Sequence, residues 1–164
     1  MKQIIVLFIF LASCLSGCKL SKPCKDTEAV VNDFGLIISG KVVVKSSQTQ
    51  EIITSQFMGL EINIEVTKYD CDGHTGGPFA ARYTTDLAGN LNKQSGLTLN
   101  FTMDNTEDRL KIIFYYGGNL IEEFDRNYES IPKAGGSDIT FRYQVNINWD
   151  TVNNKFGSAN VIEG

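Results

Sequence analysis

The 164-residue sequence predicts an all-β fold, an antiparallel β-sandwich of about seven or eight strands with room for one short helix. Two observations carry that reading. Apolar residues alternate with polar ones at period two along several short runs, so each run turns one face to a core and one to water. Clusters of Gly, Asn, Asp and Ser separate the runs, and these residues suit tight turns. A lipocalin-like barrel satisfies the same pattern and stands as the alternative closure.

In chain order, Ala29 to Phe34 suggests a helical turn and Leu36 to Lys45 a first strand, ended by Ser46-Ser47-Gln48. Ile52 to Phe57 is a further β-rich run. Leu60, Ile62, Ile64 and Val66 then alternate with Glu61, Asn63, Glu65 and Thr67. Asp72-Gly73 and Gly76-Gly77-Pro78 read as turns before a strand over Phe79 to Thr84, itself closed by Ala88-Gly89-Asn90. Leu97, Leu99, Phe101 and Met103 alternate with Thr98, Asn100 and Thr102. Leu110 to Tyr116 forms the next strand, ended by Gly117-Gly118. After it, Asn119 supplies a cap with Glu122 three residues on, and Ile121, Phe124 and Tyr128 follow at helical spacing, which predicts the short helix. Gly135-Gly136 marks another turn. From Ile139 to Trp149 the alternation is longest, with Tyr143 and Trp149 on the core side.

The N-terminus has a different character. Lys2 precedes an apolar run from Ile4 to Leu15 of about 12 residues, short of the roughly 20 that a spanning helix needs. A basic residue, a short apolar stretch and small residues make a secretory signal. Leu15-Ser16-Gly17-Cys18 closes it and resembles the lipobox of bacterial lipoproteins. That resemblance implies cleavage before Cys18, a diacylglycerol thioether on its sulfur and an acylated new amine. Leu11-Ala12-Ser13-Cys14 fits the pattern loosely, but cleavage there would leave an odd number of other cysteines in an oxidising compartment. The chain thus divides into a signal peptide (1–17), a lipidated tether (18–33) and a β-sandwich domain (34–164). Lys19 after the anchor, rather than Asp, resembles an outer-membrane address.

Cleavage before Cys18 leaves Cys24 and Cys71 as each other's remaining partners, and a bridge between them would pin the tether to the domain. In the chain-entropy model a loop of this size gives about 4 kcal/mol. Two free thiols are the competing reading. The spacing gives no metal motif: His74, three residues after Cys71, has no further Cys or His near it to complete a ligand set.

Within the domain, Ile38-Ser39-Gly40-Lys41-Val42-Val43, Leu60-Glu61-Ile62-Asn63-Ile64 and Tyr83-Thr84-Thr85-Asp86-Leu87-Ala88-Gly89-Asn90-Leu91 resemble the carboxypeptidase regulatory-like (transthyretin-like) β-sandwich family. The likeness covers about residues 36 to 103 and departs in the insertion carrying Cys71 and in everything after Gly117. Its Thr-Asp-x-x-Gly turn has a physical rationale: the Asp bonds amides two residues on, and Gly supplies the positive φ.

Composition narrows the function. Net charge is −4, and about −5 once Lys2 is removed, which argues against nucleic acid or a polybasic membrane surface as partner. His74 is the one histidine, so two-His zinc sites and the two-His-one-carboxylate triad are excluded within one chain. No Gly-x-Ser-x-Gly accompanies it. Paired carboxylates for sugar hydrolysis could come from Glu122, Glu123 and Asp125 or from Asp104, Glu107 and Asp108, though acid runs in turns are ordinarily wet surface. Asp70-x-Asp72-Gly73 and Asp104 to Asp108 resemble the start of calcium loops but lack the later oxygen ligands. Phe79, Tyr83, Tyr115 and Tyr116 offer either a sugar-stacking platform or core. The expectation is a non-enzymatic envelope lipoprotein without metal or cofactor, attached to the membrane by lipid and meeting another envelope protein or a glycan. A lipocalin-like carrier of a small apolar ligand is the alternative.

Overall fold

Period-two runs become strands because alternation lets one face leave water while the backbone amides pair sideways. The computed structural model of the protein describes Cys24 and residues 32–96, 99–131 and 138–164. Residues 1–17, Cys18, Ala29 to Val31, Leu97, Thr98 and the Gly135-Gly136 turn lie outside the described residues.

Among the described residues nine strands follow in order: β1 (Asn32–Ser46), β2 (Glu61–Tyr69), β3 (Thr75–Thr85), β4 (Leu91–Gly96), β5 (Leu99–Met103), β6 (Arg109–Tyr116), β7 (Asn119–Asn127), β8 (Ile139–Asp150) and β9 (Lys155–Glu163). They form two sheets, a four-stranded one in the order β5-β1-β8-β9 and a five-stranded one in the order β4-β3-β2-β6-β7. All neighbours run antiparallel except β1 and β8, which pair in parallel from Leu36 opposite Ile139 to Ser46 opposite Trp149. The sandwich is therefore as expected, while the barrel alternative is not: among the described residues the two sheets stay separate and neither closes on itself.

The space between the sheets is filled with side chains. Val42, Val44 and Val145 of one sheet and Ile62, Val66, Ile112 and Phe114 of the other are fully buried. The Phe114 and Tyr143 rings meet across the interface edge-on, with centroids 4.9 Å apart. Burial raises the Tyr143 hydroxyl to about 12, the Arg126 guanidinium beside it working the other way.

Four local expectations are corrected. Asn119–Asn127 is strand β7 rather than a helix, hydrogen-bonded to β6 through a bulge at Phe114/Tyr115. Helical structure near it is the 3-10 turn Tyr128–Ser130, capped by Asn127, whose side chain accepts the Ser130 N–H. The helical turn foreseen at Ala29 to Phe34 gives way to β1 from Asn32 onward. The Ile52 to Phe57 run contributes a single bridge, Ile52 to Lys45, and then the 3-10 turn Thr54–Gln56. There the buried Thr54 hydroxyl accepts the Val44 N–H at 2.9 Å and stands in for a strand partner. Gly76-Gly77-Pro78 lies inside β3, at a bulge against β2, and before the Ala81–Thr85 stretch where β4 would need its amides.

Candidate functional site

Strand direction sorts the loops into two ends. β2 finishes at Tyr69 and β3 begins at Thr75, so the Asp70–His74 loop lies at the same end as the β5–β6 turn over 104–108 and the start of β1. The opposite end gathers the loops after β1 and β3, the β6–β7 turn at Gly117-Gly118 and the β8–β9 turn.

At the first end Cys24 and Cys71 are disulfide-bonded, with Cα atoms 5.3 Å apart. The bridge fastens the residue at the end of the polar N-terminal segment to the β2–β3 loop. Beneath it sits Asp108, 1 % exposed. One carboxylate oxygen accepts the Cys71 N–H at 3.1 Å, and the other accepts the Asp104 and Asn105 N–H groups at 3.1 and 3.2 Å. Lys68 Nζ lies 3.7 Å from the same group and 2.5 Å from Asp70. A buried carboxylate is tolerated where amide donors and a cation replace its water, and here they tie two loops together. The open depression around this cluster is about 470 Å³ and is lined by Cys24, Lys68, Asp70, Cys71, Asp72, Asp104, Asn105 and Asp108.

His74 stands on the rim, 80 % exposed, with Nδ1 2.6 Å from Asp72 Oδ2. The hydrogen bond that the Asp72 carboxylate accepts from the ring raises the imidazole above its ordinary value, and the His74 amide lowers the Asp72 carboxyl. The two suspected calcium loops are thus Asx turns: Asp72 accepts the His74 N–H at 3.0 Å, and Asn105 accepts the Glu107 N–H at 2.9 Å. Among the described residues no three His, Cys, Asp or Glu side chains converge as metal ligands would.

The remaining candidates separate. Glu122 and Glu123 are successive on β7 and so face opposite sides of the sheet, Glu123 pairing with Lys111 at 3.3 Å. Tyr83 is buried, Phe79 packs edge-on against Phe101 at 5.7 Å and Tyr116 packs at a tilt against Phe156 at 5.1 Å, so these rings belong to the core and its margin rather than to one platform. The Thr84 to Asn90 motif folds as its chemistry requires. Asp86 accepts the Ala88 and Asn90 N–H groups at 2.9 and 2.8 Å, the Asn90 side chain holds its carboxyl below the usual range, and Gly89 takes φ +83°.

The opposite end is dressed differently. Asp150 accepts bonds from Gln48 Nε2 at 2.8 Å and Asn153 Nδ2 at 2.7 Å, and the Asn153 side chain leads the donors that pull its carboxyl down to about 2. Among the loops of this end Ile52, Met58, Leu87, Leu120 and Val152 are all more than half exposed.

Two roles were not visible in the sequence: the burial of Asp108, which stood there only as a candidate acid, and the packing of Arg126. Asp108 reads as one acid in a polar run, and its position immediately before a strand was its one distinguishing mark. Arg126 was also passed over. It is 14 % exposed, with its guanidinium 5.5 Å from the Phe124 ring centre and 5.3 Å from that of Phe141; the Phe124-x-Arg126 spacing on one strand face was the available signal. No protein-family model, no curated protein and no solved structure matches this chain.

Proposed function

We propose that the protein is a lipid-anchored, non-catalytic lipoprotein of the bacterial cell envelope, a β-sandwich that binds or spaces another envelope component, with its acyl chains in the outer membrane. One observation carries the reading. Six positions after the lipobox cysteine Cys18, Cys24 is bonded to Cys71, so a segment that reads as a tether is stapled to one end of the sandwich. A lipid anchor contributes roughly 0.8 kcal/mol per buried methylene, and several chains make attachment effectively permanent. A short stapled leash suits a body that works at the bilayer surface. The carboxypeptidase regulatory-like reading of the sandwich rests on its short motifs, of which the Asp86 turn is supported by its hydrogen bonds.

The test is acylation together with capture. Bacteria producing the full chain and fed an alkyne fatty acid should label the wild type and not Cys18→Ala, and the label should sediment with outer membranes. Crosslinking in those cells should recover a repeated envelope protein or glycan partner. Unlabelled wild type in the soluble fraction would remove the reading. Labelled protein that recovers no partner would remove the binding role.

A further inference from the structure

We propose that the Cys24–Cys71 disulfide sets how the domain stands on its membrane: the Cys71 end faces the lipid headgroups, and the apolar tips of the opposite end are held away from them. This rests on the lipid-anchor reading of Cys18.

The argument is one of reach. A polypeptide extends at most about 3.6 Å per residue. From Cys18 to Cys24 are six steps, about 22 Å, and the closed bridge adds the 5.3 Å between its Cα atoms, so Cys71 stays within about 27 Å of the anchor residue. At about 3.3 Å per residue, nine-residue β2 spans about 30 Å and twelve-residue β8 about 40 Å. The leash is shorter than the body. End-on contact of Ile52, Leu87 and Val152 with the bilayer would put Cys71 beyond its tether. Lying flat would bring those tips down, but it would lay a polar sheet face on the lipid. Arg142, Gln144 and Asn146 point outward from one sheet, and Glu61, Asn63 and Glu65 from the other. With the bridge open, the leash runs on to Asn32, fourteen steps and about 50 Å, and the whole domain can turn over. The bridge therefore keeps five exposed apolar side chains from burying themselves in the membrane that carries the anchor.

The single tryptophan, Trp149, lies at the far end, where its ring packs on Phe57 at 4.9 Å, and serves as the probe. Acylated full-length protein is reconstituted into phosphatidylethanolamine/phosphatidylglycerol vesicles carrying a headgroup dansyl acceptor. Mass spectrometry establishes the acyl chains first. Energy transfer from Trp149 should be weak, and transfer from the double variant Trp149→Phe with His74→Trp should be at least two-fold stronger. Reduction of the wild type, or Cys24→Ser with Cys71→Ser, should raise the Trp149 transfer toward that of the near-end probe. Equal transfer from both ends in the oxidised protein would overturn the inference, as would no response to opening the bridge in protein that keeps its β-sheet circular dichroism. Protein without acyl chains would fail the lipoprotein reading instead.

Discussion

Arg126 of β7 reaches Glu163 of β9 with Nη2 and Oε2 2.6 Å apart, joining an edge strand of one sheet to an edge strand of the other. The two partners contribute unequally. Glu163 is about half exposed, whereas Arg126 is almost covered and lies against the Phe124 and Phe141 rings.

Glu163→Gln should therefore cost no more than about 1 kcal/mol, the ordinary value for a partly hydrated ion pair. Arg126→Ala should cost about 2–3 kcal/mol, because it also removes the stem packing and the ring contacts. Urea unfolding of both variants reads the difference, and equal losses would show that the pair alone matters.

Gly89 and Gly118 have similar φ angles, +83° and +80°, and different surroundings. A Cβ at Gly89 would fall 2.3 Å from the Val42 carbonyl oxygen, whose own residue donates its N–H to the Gly89 carbonyl at 2.7 Å. At Gly118 nothing lies within 4 Å. Gly118→Ala should cost about 1 kcal/mol, the conformational penalty alone, and Gly89→Ala about 3 kcal/mol or more. Thermal or urea melts that rank them the other way would contradict the turn described here.

Asp108→Ala strips three amide donors and Lys68 of their acceptor, and should cost about 3 kcal/mol. Because one donor is the Cys71 amide, the variant should also refold with a larger fraction of free Cys24 and Cys71 thiols, counted by alkylation and mass spectrometry. Asp108→Asn keeps one acceptor oxygen and should fall between wild type and Ala.

The His74–Asp72 pair predicts a pH window. The pKa of His74 is raised, so its share of the pairing is complete below the unfolded value of 6.5 and fades as pH rises through the higher folded one. The pKa of Asp72 is lowered, so its share is complete above 3.8 and fades as pH falls through the lower folded one. An NMR titration of the His74 ring should show a midpoint above 6.5, returning toward it in Asp72→Asn. An unchanged midpoint in that variant would exclude Asp72 as the cause.

Legibility in the sequence followed how cleanly each strand separates its faces. β2 and β8 put apolar residues at every second place and were read almost to the residue. β7 was not, because its half-buried positions include Glu122 and Arg126. A guanidinium lying on two rings behaves as core, while the one-letter pattern records a charge. β9 was missed because Gly157-Ser158 follows Phe156 at a bulge, which moves Ala159 and Val161 out of step with it. The cysteine pair was legible by counting. Asp108 was not, since its burial comes from the Cys71 loop, 37 positions away in the chain.

The parallel pairing of β1 with β8 has a consequence for how the protein is made. Residues of β1 beyond Leu36 find their ladder partners about a hundred positions downstream. Bringing such distant segments together is slow, and until then the amides and valines of this strand are exposed on a nascent chain. Until its final third has been synthesised, β1 lacks the strand that completes its ladder from Leu36 onward.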